Sequence, residues 1–331
     1  VEFTTGGRLE VRINAADVGK RVSVRRLADF GRSSERFTDT VGVLDSWSDG
    51  VLRITRRNGE TVVIQESSLV AGKVVPAVPA RRRGPAATVR ELQEAAGRGW
   101  PARENATLGG WTLRAAGGFT ARANSVLPLG DCGLPLDDAL DQVTAWYGER
   151  GLPALFQIPA GVPAAEELDA ELARRGWTEE RGAEMRTAAL APLADTDADL
   201  SAVRLSREPG EDWMRAYGPT GGSAEDAAAV LTGGPSVWFA AVPGDEGAAA
   251  TGRCVVDGRW AGFGALSVDP ARRREGLGTL IMAALARRAL DEGASAAYLQ
   301  VMADNGGAGA LYDGLGFTVH HRYHYRRGPR G

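Results

Sequence analysis

Residues 272–279 read "RRREGLGT" and stand between an apolar stretch that reads as a strand, "WAGFGALSVDP", and one that reads as a helix, "GTLIMAALARRALDEG". The segment offers few side chains able to pack. It offers many backbone N–H groups, at the point where a helix leaves its first amides without intrahelical partners and carries partial positive charge. Glycine lets the backbone approach a ligand closely. A strand, a glycine-bearing loop and a helix start therefore make an anion site, and the spacing Arg273-x-x-Gly276-x-Gly278 suits a pyrophosphate. Two other cradles are excluded. Ile281 stands where the dinucleotide fingerprint G-x-G-x-x-G needs its third glycine, and no Lys-Ser/Thr pair follows as in a P-loop.

The unit belongs to a chain of 331 residues, long enough for two or three domains. Hydrophobic residues make up 44% and charged residues 24%, the balance of a globular protein. No apolar run approaches the roughly 20 residues of a membrane span, and the polar start shows no signal-peptide pattern. No membrane partner is expected. Cys132 and Cys254 are far apart, so no disulfide framework is expected and a cytoplasmic location is. The net charge of −3 is unevenly spread: residues 1–84 carry +5, residues 85–197 carry −7 and residues 198–331 carry −1. The basic first segment reads as a solvated small barrel, and nucleic acid is not expected as a partner.

Three segments and a linker follow from the pattern. Residues 1–76 read as short alternating strands, broken at Ser48-Asp49-Gly50 and Asn58-Gly59; Asn-Gly between such strands is a hairpin signal. This is an all-β accessory barrel, similar in pattern to SH3-like barrels. Residues 77–88, rich in Pro, Arg and Ala, read as a linker. In residues 89–197, "GGWTLRAAGGFTARANSVLP" reads as two strands joined at Gly117-Gly118, and "PLDDALDQVTAWYGERG" as an amphipathic helix with Leu136, Leu140, Val143 and Tyr147 at helical spacing. Residues 198–331 repeat this order more fully: strand, two helices, a three-strand meander, the helix after the glycine loop, a strand, a helix and a terminal strand or pair. The fold class is α/β (α+β).

Two stretches carry a family resemblance. "LSVDPARRREGLGTLIMAAL" resembles the acyl-CoA motif R/Q-x-x-G-x-G/A of the GNAT (Gcn5-related N-acetyltransferase) superfamily. Downstream, "VMADNGGAGALYDGLGF" resembles that superfamily's N-x-x-A-x-x-L-Y-x-x-L-G-F segment. The resemblance covers residues about 198–331. It implies a GNAT fold and an acetyl-CoA-dependent N-acetyltransferase, with acetyl-CoA as acyl donor, no metal, and an amine-bearing acceptor, small molecule or protein, that it does not identify. It further implies that backbone groups of Leu266, Ser267 and Val268 bond the pantetheine arm, and that amides of Arg273, Arg274, Glu275, Gly276, Leu277, Gly278 and Thr279 hold the pyrophosphate. Arg272 and Arg274 could add charge-assisted bonds to phosphate; a solvated surface arginine is the other reading of each. Asn305 is implied to bond the pantetheine or to order the loop after its strand. Tyr312 is implied to lie near the thioester sulfur, where, neutral at pH 7, it suits the acid that protonates the leaving thiolate. The acidic residue the family often carries on its central strand has no counterpart in "WAGFGALSV", so the base is unassigned.

Residues 89–197 resemble a degenerate copy of the same fold. Gly176-Trp177 aligns with Gly316-Phe317, which puts Leu172 where Tyr312 falls. Asp131, Asp137 and Asp138 stand where a phosphate would lie, so this half reads as a copy that covers or shapes the cleft. His320, His321 and His324 alternate faces on a strand, which favours a polar terminal strand over a metal site. Trp213 and Tyr217, at i,i+4 spacing, fall on the acceptor-side helix of the resemblance, with core packing the expected role of at least one. Cys254 reads as an inert buried thiol. Two other functions remain open at this point. One is a non-catalytic acyl-CoA-binding or regulatory protein, suggested by the missing base and opposed by Tyr312 and Asn305. The other is a nucleic-acid-associated modifier guided by the basic barrel.

Overall fold

The computed structural model describes residues 10–28, 36–75, 84–218, 221–245 and 247–329. Most of the linker expected at 77–88 lies outside the described residues. The N-terminal strands β1 (Arg21–Ala28), β2 (Arg36–Ser48), β3 (Val51–Thr55), β4 (Thr61–Gln65) and β5 (Leu69–Val74) form an antiparallel sheet in the order β4-β3-β2-β1-β5. Asp49 and Gly50, both at positive φ (53° and 72°), turn β2 into β3. Val22, Val24, Leu44, Leu52, Ile54 and Ile64 give this sheet a core of its own. Val41 and Val75 join a different core, the one that holds Leu190 and Leu285 of the main body.

The main body begins with α1 (Val89–Gly99), β6 (Glu104–Leu108), β7 (Trp111–Ala115), β8 (Leu127–Pro128), α2 (Leu136–Gly148), β9 (Leu155–Pro159), α3 (Pro163–Arg174), β10 (Thr178–Ala189) and α4 (Leu190–Ala194). It continues with β11 (Arg204–Ser206), α5 (Glu211–Tyr217), α6 (Ala224–Thr232), β12 (Val237–Gly244), β13 (Gly247–Asp257) and β14 (Trp260–Val268). The last elements are α7 (Leu277–Asp291), β15 (Ala296–Met302), α8 (Gly306–Gly314) and β16 (Thr318–Arg327).

The sheet does not divide at residue 197, where the sequence places a boundary. Eight strands run in the order β11-β12-β13-β14-β15-β10-β16-β9, and β6, β7 and β8 form a separate small sheet. β10 lies between β15 and β16, and β16 lies between β10 and β9. Each half thus gives its last strand to the other half's side of the sheet. The two exchanged strands pair antiparallel, from Thr178 opposite Arg327 to Thr187 opposite Thr318. Helices α4, α7 and α8 cover one face, where Ile281, Leu285, Leu299 and Tyr312 share a core. α1 covers the other through Leu92, Ala95 and Ala96, packed with Met185, Trp260 and Tyr298.

One local expectation is corrected, and the terminal stretch takes one of its two expected forms. Gly117-Gly118 is not a hairpin turn between two strands: β7 ends at Ala115, and the next strand is the two-residue β8. Asn124 folds the intervening chain into a compact loop. Its Oδ1 accepts from the amides of Ala116 (2.8 Å) and Gly118 (3.0 Å), and its Nδ2 donates to the Thr120 carbonyl at 2.8 Å. The terminal stretch is one strand, and it bulges at His320: His321 faces Met185, while Val319 faces Arg186.

Candidate active site

β14 and β15 run parallel for only four pairs, from Trp260 opposite Ala296 to Phe263 opposite Leu299. Beyond Phe263 the two strands separate. The antiparallel pairing of β14 with β13 continues to Val268, with a bulge at Ala265, whose φ is 51°. Residues 264–268 therefore keep one sheet neighbour and open the other edge. Leu266, Ser267 and Val268 lie on that open edge. Ser267 Oγ donates to the carbonyl of Ala216 at 3.1 Å, which ties the end of α5 to the splayed strand. Asp212, Arg215 and Ala216 of α5 and Ser267, Val268 and Asp269 line a cavity of about 220 Å³ there.

The chain then turns through Asp269, whose carboxylate accepts from the Ala271 amide at 2.9 Å, and reaches Gly276 at φ 82°. No side chain caps α7. Its first intrahelical bond runs from the Leu280 amide to the Gly276 carbonyl at 3.0 Å, so the amides of Leu277, Gly278 and Thr279 have no acceptor within the helix. A Cβ on Gly278 would come within 3.2 Å of Leu311 Cδ2 and 3.7 Å of Val268 Cγ2, so glycine allows this close approach of helix and strand. Arg272 is engaged by Glu275 at 2.7 Å. Arg273 and Arg274 are exposed and form no ion pair among the described residues.

Across the opening lies α8. Asn305 is its N-cap, with Oδ1 accepting from the Ala308 amide at 3.1 Å. Asn305→Ala is expected to cost about 1 kcal/mol of stability, read as a lower urea midpoint; an unchanged midpoint would remove the cap from the account. Tyr312 is 9% exposed and packs edge-on to Phe317 at 5.8 Å. Burial pushes its hydroxyl pKa up, against the charges of Arg122 and Arg186. The first half closes its helix in the same way. The Trp177 amide donates to the Leu172 carbonyl at 3.0 Å as the Phe317 amide does to Tyr312 at 2.9 Å, and Gly176 and Gly316 share φ near 81°. There the tyrosine's place is held by a fully buried Leu172. α2 opens with Asp137 and Asp138, which disfavour an anion at its start.

The structure also assembles residues that sequence reasoning missed. The Trp100 ring packs on Gly264, the first residue past the strand separation. Arg122, in the loop folded by Asn124, lies 4.6 Å from the centre of that ring. Its charge reaches Tyr217, Tyr312, Tyr323 and Tyr325, in each case opposing the rise that burial causes. Tyr323 donates to Gln300 Oε1 at 2.8 Å. No local signal marks Arg122, because its loop is shaped by contacts that the sequence does not display. Trp213 is a core residue, with its indole N–H shared between the carbonyls of Ala240 (3.1 Å) and Gly252 (3.3 Å); Tyr217 is half-buried.

The alternation argument for the histidines fails at the bulge, which brings His320 Nδ1 and His321 Nδ1 to 2.9 Å. His324 goes elsewhere, bonding Asp169 at 2.8 Å. Among the described residues no group of three or more His, Cys, Asp or Glu is placed to hold a metal, and no helix is long and apolar enough to cross a membrane. Cys254 is fully buried, and burial pushes its thiol far up, away from a nucleophile's range.

The chain is 29% identical over 310 residues to "Probable histone acetyltransferase Rv0428c" of Mycobacterium tuberculosis, covering 93% of this chain and 94% of the relative. It is 28% identical over 245 residues to "Uncharacterized N-acetyltransferase YobR" of Bacillus subtilis, covering 72% and 98%. Among solved structures, a GCN5-related N-acetyltransferase from Kribbella flavida matches with TM-score 0.56 at 16% identity, over 74% of this chain and 98% of that one. A tandem GNAT protein from the clavulanic acid biosynthesis pathway matches with TM-score 0.51 at 14% identity, over 76% and 91%. With residues 86–326 matching the family described as "Probable histone acetyltransferase Rv0428c C-terminal", the chain belongs to that family and is an N-acetyltransferase, with the GNAT fold of those solved structures.

Proposed function

We propose that the protein transfers the acetyl group of acetyl-CoA directly to an amine, in the opening between β14, β15 and α5. The observation that carries this reading is the open edge of residues 264–268 leading straight into the uncapped start of α7. The residues present fit the donor. An extended pantetheine arm can bond to the free edge at Leu266, Ser267 and Val268 as an added strand would. Its pyrophosphate suits the amides from Arg273 to Thr279, with Arg273 and Arg274 free to neutralise it. Asn305 orders the start of α8.

Acetyl-CoA supplies the acetyl group as an activated thioester. The chain's residues do the rest. The backbone at the bulged strand offers N–H groups where negative charge develops on the carbonyl oxygen. Tyr312 holds the proton that the departing sulfur takes up. The acceptor's nitrogen, attacking from the α5 side, forms the new amide bond as the carbon–sulfur bond breaks; the proton it loses passes to solvent, and solvent returns one to Tyr312. The Mycobacterium tuberculosis relative has a histone in its name, so a protein lysine is the second acceptor reading, favoured by the length over which the two chains match.

Gly278→Glu tests the donor site, since it adds both bulk against Leu311 and a carboxylate at the cradle. At 100 times its Kd, acetyl-CoA is expected to stabilise the natural chain by about 2.7 kcal/mol in thermal unfolding. The variant should unfold at one temperature with or without ligand. No shift in the natural chain, or an equal shift in both, would remove the reading.

A further inference from the structure

Three arginines meet in the interior beside the acceptor opening, and no carboxylate neutralises them. Arg114 is 6% exposed, and its guanidinium is taken up by neutral acceptors: the Ser125 carbonyl, Ser125 Oγ and Gln157 Oε1, each at 2.9 Å. Arg253 is 2% exposed, and its guanidinium bonds to the carbonyls of Gly99 (2.8 Å) and Gly233 (2.6 Å) and to that of Leu231. Arg122 differs from both. It is half-buried and stacks on Trp100 as Arg253 also does, at 4.6 and 5.0 Å from the ring centre. Among the described residues its N–H groups have no hydrogen-bond acceptor and no acid. Gln93, Trp100, Arg114, Gln157 and Gln300 line the same narrow gap, and none of them carries a negative charge.

A half-buried guanidinium with no acid and no acceptor among the described residues is open to an anion from outside, and the charges of Arg114 and Arg253 favour one there. Its planar fork matches a carboxylate with two parallel hydrogen bonds. The donor's pyrophosphate does not serve. Arg122 stacks on the ring that packs on Gly264 at the strand separation, whereas the cradle begins beyond Val268, four residues further along the chain. The acceptor side, by contrast, is close: Trp100, on which Arg122 stacks, shares a hydrophobic cluster with Trp213 of α5, and Tyr217 and Ala265 pack against that cluster.

Resting on the proposed acetyl transfer, we propose that the acceptor is a small amine that also bears a carboxylate, and that Arg122 binds this carboxylate and so sets specificity. A lysine on a basic peptide would bring more positive charge to a site already in excess of it.

The test compares paired amines on the full chain: α- and ω-amino acids against their primary carboxamides, which have the same shape without the charge. Thiol release from acetyl-CoA is read for each pair. At least one carboxylate should exceed its carboxamide in kcat/KM by about 10-fold or more, the worth of one charge-assisted pair. Arg122→Gln should abolish the difference, and Arg122→Lys should restore part of it. Stabilisation by acetyl-CoA should be the same in all three proteins, which also confirms that the variants fold. If no carboxylate is preferred by the natural chain, or if the preference survives in Arg122→Gln, the inference is overturned. Retained acetyl-CoA stabilisation in that case leaves the donor-binding reading standing; its absence removes both.

Discussion

Replacing Tyr312 with phenylalanine is expected to lower kcat about 100-fold while leaving acetyl-CoA affinity unchanged. The ring would keep its edge-on contact with Phe317 and its place among Ile281, Leu285 and Leu299, so stability should hold. Only the hydroxyl is lost. Burial raises its pKa above the ordinary 10, the charges of Arg122 and Arg186 lower it in part, and the net shift is upward. The group is thus a proton donor throughout the neutral range. A departing thiolate has a pKa near 8.5 and accepts that proton as it leaves. Without the hydroxyl the sulfur must depart as the bare anion, which slows the chemical step and not donor binding. Steady-state kinetics with acetyl-CoA titration separates the two. A kcat within about threefold of the natural value would remove Tyr312 from the chemistry and leave it a packed aromatic.

The parts of this site that were legible in the sequence are those built by neighbours in the chain. Gly276 and Gly278 mark a strand–loop–helix junction because the turn needs positive φ and the helix start needs a close approach. Leu172 reveals a missing hydroxyl in the first half because Gly176-Trp177 repeats the helix ending of Gly316-Phe317. The exchange of β10 and β16 was not legible. The stretch ending "HHRYHYRR" shows a strand, but alternation does not say that Glu184 and Arg322 will stand opposite each other. Nor was the acceptor side legible. Arg122, Trp100 and Gln300 come from three elements, and only the folded loop around Asn124 brings the first of them to the opening.

Mild acid is expected to destabilise the protein through His321, before its ion-paired carboxylates are lost. A chain of buried hydrogen bonds fixes every proton around this ring. Arg114 can only donate, so Gln157 Oε1 accepts from it at 2.9 Å and Gln157 Nε2 must donate to Gln93 Oε1, at 2.7 Å. Gln93 Nε2 then donates to His321 Nε2 at 2.8 Å, which leaves the proton of His321 on Nδ1 for His320 Nδ1 at 2.9 Å. His320 Nε2 finally donates to the Ala87 carbonyl at 3.0 Å. A second proton on His321 would face the amide hydrogens of Gln93. Burial, with His320 alongside, lowers its pKa from 6.5 to about 4. Between those values the unfolded chain binds a proton that the folded chain refuses, so stability falls as pH drops from 6.5 to about 4. Below that both states are protonated, and this group costs nothing more. The loss over the window is about 3 kcal/mol, at 1.36 kcal/mol per pH unit. Glu180, held below its usual 4.5 by Arg327, gives up its contribution only at lower pH, so the two effects separate. Urea unfolding at a series of pH values reads the slope directly. His321→Asn should be less stable at pH 7 and nearly flat across the window. A variant that lost stability as steeply as the natural chain would place the acid sensitivity outside the Arg114–Gln157–Gln93–His321 chain.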